Sequence, residues 1–163
     1  MADGAGVGPA EVVAEFVARG LTAGTAESLT AGQVAAALAD VPGASAMLRG
    51  GIVSYASEVK ASLLGVPESL LAEAGSVEPE VARAMAVGAR DALGADYAVA
   101  TTGAAGPEPH DGKPVGTVFV AVAGPAGSVV AAHLFAGGRA EIRAAATRAA
   151  LAALLSAVRA DAG

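Results

Sequence analysis

Residues 21–33, LTAGTAESLTAGQ, constrain the chain more than any other stretch. Residues 21–26 are short and uncharged and run into a cluster of small polar residues, the pattern of a buried strand breaking into a turn. Thr30 and Gln33 have the T-x-x-Q spacing of a capping box, which predicts that the following helix starts at Thr30. Ser28 then lies in the strand-to-helix turn, close to free backbone N–H groups and the positive end of the helix dipole, where developing negative charge is favoured. Such a turn suits a nucleophilic hydroxyl. It equally suits a helix cap, because serine is a preferred capping residue, and this stretch alone leaves both open.

A strand that feeds a helix needs a sheet, and the rest of the chain supplies one. Residues 11–18 read as a first helix, with Pro9 and Ala10 leading in and Gly20 as its stop. After the strand 21–26 and a helix 31–39, DVPG at 40–43 ends the helix, 44–49 connect, and 50–54 form a second short strand. Ser57 is expected to cap a helix that runs to Leu64, and 67–74 add a turn or two more. Pro79 opens the clearest helix, 79–93, with Glu78 and Glu80 at its start and Gly94 as its stop. A third strand at 97–102, a Gly- and Pro-rich loop at 103–114 and a last helix at 141–158 complete the order. Between loop and helix, residues 114–138 carry no Asp, Glu, Lys or Arg, which a hydropathy window reads as membrane-spanning. GPAG at 124–127 breaks that stretch into two runs of strand length, 115–123 and 128–135, so a hairpin is predicted, with Val118, Phe119, Val120 and Val122 suited to a central strand. Strands alternating with helices predict an α/β fold: three layers, α/β/α, with a mixed sheet ending in a β-hairpin, residues 1–163 forming a single domain and 1–9 a flexible start.

Charge and composition narrow the function classes. The chain has 54% hydrophobic residues, 22 glycines and no tryptophan, so its core must be small-grained. A net charge of −6 argues against a nucleic-acid surface, and an anionic ligand must be held by a few local cations. No cysteine means no disulfide, no thiolate nucleophile and no Cys-ligated metal. Residues 1–9 lack the basic start and apolar core of a secretory signal, and a cytoplasmic protein is expected.

Three groupings could carry chemistry. Lys60 falls at the third position of a helix capped by Ser57, the wrong end of the dipole for a cation; its neutral form is thereby favoured, and a neutral amine can act as general base for a serine. A solvated surface lysine is the plain alternative. Ser57 and Lys60 also spell S-x-x-K, but the companion S-D-N and K-T-G patterns are absent, so Ser57 is read as a cap. The second grouping is TTGAAGPEPHDGKPVGT at 101–117, whose glycines let backbone N–H groups approach a ligand and whose Thr101 and Thr102 stand at a strand's C-terminal end. It has neither a dinucleotide fingerprint nor a P-loop. Glu108, His110 and Asp111 invite a metal reading, but sequential neighbours in a loop rarely point at one ion, and no metal or cofactor is expected; His133 reads as a packed or rim residue. Third, Arg139 and Arg143 lie one helical turn apart where the last helix begins, which makes sense if an anion joins them.

TAESLTAG at 25–32, RGGIVSYASEVKASLLGV at 49–66, VARAMAVGARDALGADYAVATTGAAGP at 81–107 and KPVGTVFVAVAGP at 113–125 resemble the CinA C-terminal domain family. Stand-alone members of that family are amidohydrolases of nicotinamide mononucleotide (NMN); they release nicotinate mononucleotide and ammonia without a metal. The resemblance implies that Ser28 is the serine of the family's E-S-C-T-G-G motif, and that Tyr55 and Lys60 are the tyrosine and lysine of its Y-S-N-E-x-K segment. Ser28 would attack the amide carbonyl, Lys60 move the proton and Tyr55 assist. Glu27, Thr30, Gly32, Thr102, Gly103, Gly106, Lys113, Arg139 and Arg143 are the expected substrate contacts, with Arg143 the first candidate for the phosphate and Arg139 and Lys113 behind it. Leu29 and Ala31 replace the family's usual Cys and Gly, Ala104 replaces a larger apolar residue, and Gly138 stands where Asp is common. A non-catalytic pyridine-nucleotide binding or regulatory module is the alternative. The expected partners are the small-molecule substrate and further copies of the chain, not nucleic acid or membrane.

Overall fold

In the computed structural model the described residues are 6–163. The flexible start expected over 1–9 falls outside them up to residue 5, and Pro9 already opens a helix. The elements in order are α1 (Pro9–Arg19), β1 (Ala23–Glu27), α2 (Gln33–Ala39), a 3-10 turn (Ala44–Ala46), β2 (Leu48–Val53), α3 (Ser57–Leu64), α4 (Glu68–Ala74), α5 (Pro79–Leu93), β3 (Tyr97–Gly103), β4 (Thr117–Gly124), β5 (Gly127–Leu134) and α6 (Arg139–Ala160). One five-stranded sheet has the order β2-β1-β3-β4-β5. Strand β1 pairs in parallel with β2 and β3, while β4 runs antiparallel to β3 and β5 antiparallel to β4, so the sheet is mixed and closes in the expected hairpin.

Helices cover both faces, which is why β1 reads AGTAE and is buried along its whole length. On one side α1, α2 and α6 meet the sheet through Val12, Phe16, Leu38, Leu151 and Leu154 against Val99, Val118, Val120 and Val122. On the other side the sheet presents Ala26, Ala98, Ala100, Ala121 and Ala123, and α5 lays Val81, Ala82, Met85, Ala86 and Ala89 on them. Methyl-sized side chains let α5 approach closely. Gly88 lets α3 approach α5 in turn, since a Cβ there would run into the Leu64 carbonyl. Among the described residues no helix is long and apolar enough to cross a membrane; the uncharged stretch forms β4 and β5, joined by Pro125 and Ala126.

Several predicted boundaries move, each for a local reason. Helix α2 starts at Gln33 rather than at Thr30, and Thr30 does not cap it. The N–H groups of Val34 and Ala35 donate instead to the Glu27 carboxylate, at 2.8 and 3.0 Å, so the cap comes from the end of β1. Strand β1 starts at Ala23 because Thr22 gives both its N–H and its hydroxyl to Asp96. Ser57 is the first residue of α3 and not its cap, which leaves Lys60 fourth in that helix; α6 begins two residues early, at Arg139. Strand β5 forms the sheet's edge, with no charged residue or proline along Gly127–Leu134 and with Val129 and Leu134 exposed.

Candidate active site

The parallel strands β1, β2 and β3 end at one edge of the sheet, where α/β folds place their sites. Ser28 follows β1, Ser54 and Tyr55 follow β2, and Thr101 to Gly103 close β3. The Ser28 N–H donates to the Thr101 carbonyl at 3.0 Å, and the Ser54 N–H donates to that of Glu27 at 2.9 Å, so the three turns are tied to one another. A cleft of about 380 Å3 opens over them, lined by Ser28, Tyr55, Ser76, Gly103 and Arg139 together with residues 104–110.

Lys60 rises from α3 beneath Ser28 and is fully buried. Its Nζ donates to Ser28 Oγ at 2.9 Å, to the Ser54 carbonyl at 2.7 Å and to the Tyr55 carbonyl at 2.9 Å. Those three acceptors match the three donors of an ammonium. They also match a neutral amine, because two carbonyls can keep two N–H groups while the lone pair faces the serine hydroxyl. The same cage thus holds the group before and after it takes a proton from Ser28. Burial pushes the Lys60 amine down to about 8, against the opposing pull of the Asp111 carboxylate. Ser28 itself is 8% exposed, and that exposure is to the cleft.

Not every expected site residue reaches the cleft. Glu27 is fully enclosed, and its carboxylate accepts from Thr25, Thr30, Val34 and Ala35; it shapes the turn and has no face for substrate. Thr30 is buried between Glu27 and Thr101, and Thr102 donates to the Ser76 carbonyl at 2.7 Å, so neither is open to a ligand. Gly32 takes a left-handed conformation at the head of α2 and lies outside the lining. Arg143 does not face the cleft: its Nε donates to the Leu29 carbonyl at 2.8 Å and a terminal nitrogen to that of Thr30 at 3.4 Å, bracing the serine turn from α6. Lys113 is spent on Glu78, at 2.6 Å. Of these three cations, Arg139 is the one whose residue lines the cleft. It is exposed on the lining and donates to the Gly106 carbonyl at 2.7 Å and to the Tyr55 hydroxyl at 2.9 Å, bridging two walls. The Tyr55 hydroxyl is therefore turned to Arg139, while its backbone carbonyl serves Lys60. Gly103 and Gly106 lie on the wall of the cleft.

Ser76 and the side chain of His110 also line the cleft, and the sequence carries no spacing that announces them. Among the described residues no group of three or more His, Asp or Glu is placed to hold a metal ion; Asp111 turns to Ser76, and His133 of β5 stacks on Phe135 just beyond the strand, with ring centroids 5.0 Å apart. A second hollow of about 360 Å3, between the end of α6 and the outer hairpin, has no cation in its lining.

These features define an α/β domain that opens a buried serine–lysine pair into a cleft at the end of its parallel strands. The chain belongs to the CinA C-terminal domain family, whose profile matches residues 8–158. It is 54% identical over 132 residues to a CinA-like protein of Frankia casuarinae and 53% identical over 129 residues to one of Geobacter sulfurreducens, matches that span 81% and 78% of this chain. They span only 30% and 31% of those relatives' own length. Among solved structures, a competence-damaged protein (CinA) superfamily protein from Escherichia coli matches with a TM-score of 0.89 at 33% identity, covering 96% of this chain and 93% of that one. Another from Klebsiella pneumoniae has a TM-score of 0.89 at 34% identity, covering 93% and 95%.

Proposed function

We propose that this chain is an NMN amidohydrolase in which Ser28 is the nucleophile and Lys60 the base. The observation that carries this reading is the Lys60 amine 2.9 Å from the Ser28 hydroxyl, with its other two positions taken by backbone carbonyls. Ser28 Oγ attacks the carboxamide carbon while its proton passes to Lys60 Nζ. The tetrahedral adduct collapses as Lys60 returns that proton to the departing nitrogen, and ammonia leaves a serine ester. Water then enters from the cleft and attacks the ester carbon as Lys60 takes its proton, and the C–Oγ bond breaks as Lys60 returns that proton to Ser28 Oγ, which leaves nicotinate mononucleotide and free Ser28. Tyr55 forms a wall of the pocket, and Arg139 holds the phosphate by charge-assisted hydrogen bonds. We also propose that the protein works in the cytoplasm and self-associates.

Ammonia release from NMN by the purified chain tests the reading, with Ser28→Ala as the control. The variant should fold, since a small turn hydroxyl and no core volume is lost, and turnover should drop by about a thousandfold or more. A folded Ser28→Ala with near-normal turnover would sink the assignment. Binding of NMN without ammonia release by the wild type would instead make the chain a pyridine-nucleotide binding module.

A further inference from the structure

The wall of the cleft that faces α3 is the loop of residues 104–116, and side chains fasten it in three places. Arg139 donates to the Gly106 carbonyl, Lys113 pairs with Glu78, and the Asp111 carboxylate accepts from the Ser76 N–H at 2.7 Å and from the Ser76 hydroxyl at 2.9 Å. The third fastening is the most built. His110 and Lys113 exchange backbone hydrogen bonds at 3.1 and 2.9 Å, closing a tight turn that holds Asp111 at φ 50, a left-handed conformation. The receiving segment is shaped to match: Gly75 has φ 79, and a Cβ there would stand 2.7 Å from the Asp111 carboxyl. Ser76 is in turn anchored by Thr102 at the end of β3, next to the Thr101 carbonyl that accepts from the Ser28 N–H. Hydrogen bonds on either side of the Thr101–Thr102 peptide therefore join Asp111 to the nucleophile turn.

We propose that Asp111 is a positioning residue of this site, whose clasp on Ser76 holds the 104–110 wall in register with the Ser28–Lys60 pair. This rests on the reading of Ser28 and Lys60 as the reacting groups. The two donors on Ser76 hold Asp111 below the usual carboxylate range, so the charge is present at neutral pH. That charge favours the ammonium form of Lys60 against the desolvation of the buried amine. Around the clasp, His110 Nε2 stands 3.4 Å from both the Asp111 carboxylate and the Ser76 hydroxyl, Glu78 pairs with Lys113, and among the described residues Lys60 Nζ bonds to the Ser28 hydroxyl and two carbonyls.

Two variants separate the two effects. Asp111→Asn keeps an oxygen for Ser76 and removes the charge, so the wall should stay shut to limited proteolysis while Lys60, followed by NMR of its Cε, titrates at lower pH than in the wild type. The acid limb of ammonia release should move with it. Asp111→Ala removes the clasp as well: cleavage within residues 104–114 should speed up by about tenfold or more, and KM for NMN should rise more than kcat falls. An Asn variant whose wall opens as readily as that of the Ala variant, or an Ala variant with wild-type proteolysis and KM, would overturn the proposal. The Lys60 titration and the proteolysis read out even if no form of the chain deamidates NMN, so failure of this inference and failure of the functional reading remain distinct.

Discussion

A lysine amine that titrates near pH 8 is about nine-tenths charged at pH 7, and only the neutral tenth can accept the Ser28 proton. Ammonia release should therefore climb about tenfold per pH unit below 8 and level off above it, the base being lost as pH falls through its own value. Lys60→Met should show no such limb and no activity; a flat wild-type profile with an active Met variant would move the base elsewhere. The cations make a second contrast. Arg139→Ala should weaken use of NMN by about ten- to a hundredfold, the worth of a charge-assisted hydrogen bond to phosphate, and barely affect any turnover of the riboside, which lacks the phosphate. Arg143→Ala should depress both substrates alike, because it loosens the turn at Leu29 and Thr30 that presents Ser28. Ala31 is strained rather than reactive. Ala31 sits at φ 49, where a Cβ costs about 1 kcal/mol. Ala31→Gly should stabilise the chain by about 0.5 kcal/mol in urea unfolding, part of the gain being lost to the freer unfolded chain, and leave activity in place.

At the scale of elements, the fold depends on close approach, and Gly88 is where that can be tested. Gly88→Ala sets a methyl against the Leu64 carbonyl on the element that carries Lys60. It should destabilise by about 2 kcal/mol or more and lower activity beyond what unfolding explains, even though alanine is the better helix former. Legibility in the sequence followed the range of the interactions. Helix α5 was readable residue for residue because Pro79 and Gly94 are signals inside the chain's own local order. The start of α2 was not, because its cap is a strand carboxylate several residues upstream and a T-x-x-Q spacing imitated the usual one. The site divides in the same way. Ser28 and Lys60 stood out through the turn, the helix position and the family resemblance. The clasp of Asp111 on Ser76, the bridge from Arg139 to Gly106 and the withdrawal of Arg143 to the serine turn are meetings of distant segments that no local spacing encodes.

For the molecule as a whole, two features set its behaviour in solution. The open edge of β5 is uncharged and carries exposed Val129, so it is the segment most prone to pair with another strand on heating. Val129→Lys should cost less than about 0.5 kcal/mol, as exposed positions do, and reduce light scattering during a thermal ramp; unchanged scattering would place the weak point elsewhere. The other feature is the sealing of Lys60 under Ser28 in a chain that has only two lysines, the other being the partly exposed Lys113. Reductive methylation of the folded protein should accordingly tag Lys113 while leaving Lys60 untouched, so a single peptide mass can report whether a preparation still holds its base under cover, before any substrate is added.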